Sequence, residues 1–110
     1  MIITTTHNVP GYKITRVLGI VTGMTCRTRG FGGRMIAGFE ALVGGKGHAY
    51  LSELEKARNE ALQDLMNKAA SMGANAVIGV DVEMSEILEG FILVTATGTA
   101  VQIEPETSQQ

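Results

Sequence analysis

Alternating hydrophobic and polar positions predict strands towards both ends of the chain. The Ile and Thr residues of the segment 1–6 are typical of a short strand, and a longer strand is predicted from Tyr12 to about Thr25. Residues 17–21 of that strand are apolar or small on both faces, which is typical of a strand that is covered on both sides. Two further strands are predicted over residues 75–84 and 91–103, joined by a turn at 85–90.

Helical spacing of apolar residues replaces this alternation in the middle of the chain. A helix is predicted from about Tyr50 to Met72, because apolar residues recur there every three or four positions. Gly73 follows as a natural C-terminal capping residue. Ser52 with Glu55 fits a capping box near the start, although the helix could also begin a turn earlier. A shorter helix is predicted over residues 35–43, after an arginine- and glycine-rich loop at 27–34. The apolar stripe of the long helix consists of Leu54, Ala57, Ala61, Leu62, Leu65, Met66, Ala69 and Met72.

The predicted order of elements is β-β-α-α-β-β, in an α+β fold whose antiparallel sheet packs on helices. Residues 1–104 are expected to form one domain, followed by a polar C-terminal tail at 105–110. A pair of helices covers only one face of such a sheet, yet apolar residues are indicated on both faces or at the edges by Val17, Val21, Val77 and Val94. The economical cover for the remaining apolar surface is another copy of the chain, so we expect a homo-oligomer.

Composition narrows the classes of function. Apolar residues make up 45% of the 110 residues and charged residues 18%, which excludes a disordered body. The formal net charge of −2 argues against nucleic-acid binding, and no apolar run reaches the roughly 18 residues that a membrane span requires. Cys26 is the single cysteine and cannot form an internal disulfide, and the N-terminus shows no secretory pattern, so a cytoplasmic location is expected. Several of the 14 glycines lie inside apolar runs, where they predict close approach of backbone segments.

An ordered set of short motifs resembles the YbjQ-like family. The motifs are Thr4-Thr5-Thr6, Leu18 through Gly23, Phe39 through Gly45, Tyr50, Ala57-Arg58, Gly73 through Val77, Gly79-Val80-Asp81 and Gly98 through Val101. The family comprises small bacterial and archaeal proteins of unknown function that carry a heavy-metal-binding label. The resemblance implies a dodecin-like subunit fold and a ring, usually a homopentamer. Residues 23–26, Lys46 and the arginine-rich loop depart from the family pattern.

Five residues have side chains that can bind metals, and they are the candidate site residues of the sequence. They are Cys26, His7, His48, Asp81 and Glu83. Soft metals require thiolate or imidazole ligands held close together, but the sequence contains no C-x-x-C or H-x-x-x-H spacing. The cysteine is therefore interpreted as a small residue near a strand end, and the histidines as solvated residues beside turns. A divalent or heavy metal stays open as a cofactor, through a site shared between subunits.

The two carboxylates lie two residues apart on a predicted strand and should share a face. Paired carboxylates bind hard cations or perform acid–base chemistry, and they also pair with arginines across interfaces. The interface is the favoured interpretation, with partners among Arg16, Arg27, Arg29 and Arg34.

Glycine-rich segments suggest two nucleotide-binding interpretations, and both fail. Residues 40–47 lack the first glycine and the final Ser/Thr of a phosphate loop, and residues 30–35 lack the last glycine of a dinucleotide fingerprint. No nucleophile, base and orienting group can be assembled from the sequence. We therefore expect a non-enzymatic, self-assembling scaffold or small-ligand-binding protein that binds neither nucleic acid nor membrane; metal binding is the alternative, and an enzyme ranks third.

Overall fold

The computed structural model describes residues 1–28, 48–88 and 91–107. The described elements are the strands β1 (Ile2–Ile3), β2 (Tyr12–Thr28), β3 (Ala76–Leu88) and β4 (Phe91–Pro105), and the helix α1 (His48–Ser71). The α+β class is confirmed, but the described elements follow the order β-β-α-β-β rather than the predicted β-β-α-α-β-β. The helix predicted over residues 35–43 and most of the arginine-rich loop lie outside the described residues.

A mixed four-stranded sheet forms one layer of the fold, with the strand order β1-β3-β4-β2. Strands β2 and β3 both run antiparallel to β4, which lies between them. The prediction of a wholly antiparallel sheet is wrong, because β1 pairs in parallel with β3, with Ile2 opposite Ala76. Strand β2 and helix α1 separate these two strands in the chain, and this supplies the long connection that a parallel pair requires.

Helix α1 packs on one face of the sheet, which we call the inner face. Its fully buried side chains are Ala57, Ala61, Leu65 and Ala69, all members of the stripe that the sequence predicts. These helix residues form a core with the buried side chains of Val21 on β2, Val77 on β3 and Val94 on β4. These three valines, which the sequence suggested as uncovered apolar surface, are thus covered by the chain's own helix. The fourth, Val17, is 64% exposed.

The two ends of α1 differ in how well the sequence predicts them. The helix begins at His48, so Ser52 lies inside the helix and the predicted capping box does not start it. At the other end Gly73 has a φ of 91°, the left-handed conformation that glycine adopts without strain. Its amide donates to the Ala70 carbonyl and that of Ala74 to the Ala69 carbonyl, both at 3.0 Å. These two hydrogen bonds form the Schellman motif, so the predicted C-terminal cap is confirmed.

Shifts in strand register decide which residues share a face of the sheet. Strand β2 shifts relative to β4 on either side of residues 16–17, and β3 shifts between Ile78 and Asp81. A shift of one residue sends every following side chain to the opposite face. Strict alternation would therefore put Ile78 and Val80 on one face, but Val80 belongs to the core under α1 and Ile78 to a second cluster with Val101.

The strands are also longer than the sequence indicates. Strand β3 continues to Leu88, so much of the predicted turn at 85–90 is strand, and β4 runs to Pro105. Strand β1 is the exception, with two paired residues instead of six. In the part of the chain that the structure describes, no helix is long and apolar enough to cross a membrane.

Candidate functional site on the outer face

The face of the sheet opposite α1, which we call the outer face, carries the candidate carboxylates. Asp81 and Glu83 are exposed on β3 and lie side by side on this face, as their spacing predicts. Threonines of β4 lie opposite them in the register. Two cross-strand rows result, Asp81–Thr97–Thr22 and Glu83–Thr95–Met24, each running from β3 through β4 to β2.

Beside these polar rows, β2 presents exposed apolar side chains on the same face. They are Ile14, Val17, Ile20 and Met24, with exposed fractions of 37%, 64%, 78% and 51%, and we call them the β2 stripe. The adjacent part of β4 is different, because Val101 and Ile103 are buried there and Val9 packs against their cluster. The exposed apolar surface of the outer face is therefore concentrated on the edge strand β2.

Cys26 lies apart from the two carboxylates. It is exposed, and it pairs with Leu93 of β4, whereas Asp81 and Glu83 lie on β3 beyond β4. Because neighbouring strands are about 4.8 Å apart, strands separated by β4 are about 9–10 Å apart. The thiol and the carboxylates thus occupy opposite sides of the central strand.

Of the two candidate histidines, the structure describes the side chain of His7 alone. The imidazole of His7 lies beside the register shift of β3, with its Nδ1 3.5 Å from where a Cβ on Gly79 would lie. His48 is the first residue of α1, and its side chain is outside the described ones. Across residues 1–28, 48–88 and 91–107, no three His, Cys, Asp or Glu side chains form a group that could hold a metal ion.

Arg27, one of the four arginines predicted to meet the carboxylates at an interface, binds within its own chain instead. Its Nη2 donates to Glu60 Oε2 at 2.7 Å, and its Nη1 lies 3.8 Å from Glu53 Oε1. Both acidic residues belong to α1, so this contact ties the C-terminal part of β2 to the helix. Of the other arginines, Arg16 is exposed on β2, and residues 29 and 34 are outside the described part of the chain.

A second polar contact joins α1 to the backbone of β2. Asp64 Oδ2 accepts a hydrogen bond from the Met24 amide at 2.9 Å, and Lys68 Nζ donates to the Thr22 carbonyl at 3.2 Å. The carboxylate and the ammonium also form an ion pair at 3.0 Å. The bond from the Met24 amide, followed by the bond from Lys68, lowers the pKa of Asp64 below its usual 3.8.

Sequence reasoning missed both this contact and the composition of the β2 stripe. The stripe depends on register shifts that leave no mark in the periodicity. The contact had a weak signal, since Asp64 and Lys68 immediately precede the buried Leu65 and Ala69. Both therefore lie at the border of the helix's buried face, where a side chain can reach the sheet.

The geometry defines an α+β protein with a single described helix on one face of a mixed sheet. A solved structure has the same fold, a protein of unknown function from the DUF74 family of Pediococcus pentosaceus. The match has a TM-score of 0.63 and covers 94% of this chain and 98% of that chain, at 20% sequence identity.

Sequence comparison then gives the family. The YbjQ family model, described as "Putative heavy-metal-binding", matches residues 1–104. A UPF0145 protein from Methanoregula boonei is 47% identical over 107 residues, covering 97% of this chain and 89% of the relative. Another, from a Bradyrhizobium species, is 45% identical over 105 residues, covering 96% and 95%. The chain belongs to the YbjQ family, which confirms the resemblance seen in its motifs.

Proposed function

We propose that this chain is the non-enzymatic subunit of a homo-oligomeric ring that serves as a scaffold or binds a small ligand. The observation that carries the proposal is the β2 stripe, in which Val17 and Ile20 are 64% and 78% exposed. Scattered apolar residues are ordinary on protein surfaces, but neighbouring ones along one long strand mark an interaction surface. Burying such a surface against a second copy stabilises the assembly by about 25 cal/mol per Å² of apolar area.

Charged residues on two strands fit the same proposal. Asp81 and Glu83 are exposed on the outer face of β3. Arg16 is exposed on β2 and lies on the α1 side of the sheet, opposite Gln102 in the register. A neighbouring copy can bring the arginine of one chain to the carboxylates of the next, which favours a contact between unlike surfaces. Contacts between unlike surfaces close into rings when the rotation between copies allows it. The family resemblance implies five subunits in a dodecin-like arrangement.

Light scattering coupled to size exclusion tests the assembly. We expect a multiple of the 11.7 kDa chain at micromolar concentration, which for five copies is 5 × 11.7, or about 58 kDa. Ile20→Lys should lower the mass, because it places a charge in the β2 stripe. Leu51→Lys is the matched control, since Leu51 is 58% exposed on α1 and outside the stripe. A monomeric wild type, or an Ile20→Lys protein of unchanged mass, would refute the proposal.

Native mass spectrometry of the untagged assembly separates the two roles. A small molecule that co-purifies in fixed proportion to the subunits supports ligand binding. An assembly whose mass equals the sum of its chains supports a scaffold.

Heavy-metal binding is the second candidate function, and two observations favour it. The family model carries that description, and Met24 and Cys26 are both exposed on the outer face of β2. Their Cα atoms are about 7 Å apart, since they lie two residues apart on one strand. Thioether and thiolate sulfurs suit soft metals, and ring symmetry could bring several copies together. A reducing cytoplasm, which stays a prediction, would keep the thiol free.

Metal analysis of the untagged protein tests this alternative. Metal binding predicts a stoichiometric soft metal that is lost in Cys26→Ser and in Met24→Leu. Met72→Leu is the matched control, because Met72 is also exposed but lies just beyond α1. Metal below one ion per assembly, or equal content in all four proteins, would contradict the metal site and leave the scaffold or ligand-binding role.

A further inference from the structure

Strand β2 is one of the two edges of the described sheet, and at 17 residues it is longer than the roughly 3–10 residues of most strands. The backbone N–H and C=O groups that point away from the sheet on an edge strand can pair with a strand of another chain. Residues two apart on a strand direct these groups the same way. Thr22 and Met24 therefore share one outward direction, and both direct backbone groups towards α1 rather than β4.

The helix occupies these outward groups with charged side chains. The Met24 amide donates to Asp64, the Thr22 carbonyl accepts from Lys68, and the two side chains bind each other. Hydrogen bonds to ionised groups are stronger than those between neutral groups. An incoming strand offers only neutral amides and carbonyls, so it would replace two charge-assisted bonds with two weaker ones. We propose that the Asp64–Lys68 pair is an edge guard, which keeps a second copy of the chain from adding a strand at residues 22–24 of β2.

The surroundings of this stretch explain why it needs a guard. Ile20 and Met24 are 78% and 51% exposed on the outer face, directly beside the guarded backbone. A long edge strand with exposed apolar side chains is a site of uncontrolled strand addition unless charge, proline or a covering element blocks it. The guard occupies the outward backbone groups of Thr22 and Met24 but leaves the side chains of the β2 stripe free to contact another copy. It therefore permits a contact through the face of the strand and prevents one through its edge, whatever the native number of subunits.

A double variant tests the guard against a closely matched control. Asp64→Ala/Lys68→Ala removes both charged groups from the edge of β2. Gln63→Ala/Asn67→Ala removes the pair that precedes it on the helix, whose side-chain hydrogen bond of 3.0 Å lies within α1. We expect the guard variant to exceed the wild-type mass in light scattering and to develop thioflavin T fluorescence on incubation, while the control behaves as wild type. A folded guard variant that matches the control in both measurements would overturn the proposal.

Hydrogen exchange gives a second measurement that does not depend on aggregation. The Met24 amide should be protected in the wild type although it points away from β4, and Asp64→Ala should lower its protection about tenfold or more. Asp64→Asn should retain part of the protection, because its amide oxygen can still accept the bond. If circular dichroism shows that the double variant does not fold, the exchange rates of Asp64→Ala and Asp64→Asn test the guard in its place. A Met24 amide that exchanges equally fast in wild type and Asp64→Ala would overturn the guard and leave the proposed oligomer untouched.

Discussion

Replacing Gly23 with alanine tests whether α1 is packed directly on the backbone of β2. A Cβ at this position would point at the helix, where it meets the carbonyl oxygen of Ala61 and the amide nitrogen and Cα of Leu65. The last of these atoms is 2.8 Å away, and all three belong to the helix backbone, so no side-chain rotation relieves the contact. Carbon atoms in contact are about 3.5–4.0 Å apart. The helix must therefore move away from the strand by about 1 Å.

Two opposing terms set the size of the effect. Forcing extra volume into a packed core costs about 1–3 kcal/mol. Alanine is favoured over glycine inside a strand by about 0.5–1 kcal/mol, because it loses less backbone entropy on folding. We expect a net loss of about 1–2 kcal/mol in the free energy of unfolding, which corresponds to a decrease in Tm of roughly 4–8 °C per kcal/mol.

Urea denaturation followed by far-ultraviolet circular dichroism measures this loss. Two protein concentrations separate the stability of the subunit from that of any assembly. Gly98→Ala is the comparison, because a Cβ there meets a methyl group of Val77 at 2.6 Å and the Ile78 carbonyl oxygen at 3.0 Å. These contacts are fewer and longer than the helix-backbone contacts at Gly23, so we expect a smaller loss. A Gly23→Ala protein as stable as the wild type would show that α1 does not rest on the backbone of β2.

Three further predictions concern the core, a strand end and the guard. Leu65→Ala should lower the free energy of unfolding by about 2–5 kcal/mol, since Leu65 is fully buried. Leu51→Ala, on the exposed side of α1, should change it by no more than about 0.5 kcal/mol. Urea midpoints measure both changes. Asn75→Ala should lower the free energy of unfolding by about 1–3 kcal/mol, because Asn75 Nδ2 donates to the Ile103 carbonyl at 3.0 Å and the Ile103 backbone amide donates to Asn75 Oδ1 at 2.8 Å; equal urea midpoints would contradict it. The pKa of Asp64 is lowered in the folded state, so its contribution to stability is present above its usual pKa in the unfolded chain and is lost as the pH falls through the folded pKa. Urea midpoints from pH 7 to pH 2 should thus converge for wild type and Asp64→Ala at the acid end, and a constant difference would contradict this.

Local periodicity explains why the helix and the approximate positions of the longer strands were predictable. The stripe through Ala57, Ala61, Leu65 and Ala69 follows the 3.6-residue turn of a helix, and every one of these residues is buried. The C-terminal cap at Gly73 was equally readable, because it depends on neighbouring residues alone. Glycine inside an apolar run correctly predicted close backbone approach, which occurs at Gly23. The family, too, was recognisable from the motifs in order.

The candidate site was less predictable, because its residues are distant in the sequence. The spacing of Asp81 and Glu83 placed them on one face, but it could not place Cys26 across β4 from them. Arg27 was expected at an interface with another copy, and only the packing of α1 on β2 reveals Glu60 as its partner. Ion pairs between distant segments depend on which elements pack together.

The sequence by itself determined the α+β class, the long helix with its buried stripe, and membership of the family. Each depends on residues a few positions apart or on motifs in a fixed order, and the geometry of a helix or strand is local. Only the tertiary structure decided the strand order, the parallel pairing of β1, and the faces of Val17 and Val80. The strand order and the pairing of β1 depend on which distant segments pack together, and the two faces depend on register shifts between paired strands. A shift of one residue, set by the partner strand, reverses every side chain that follows it.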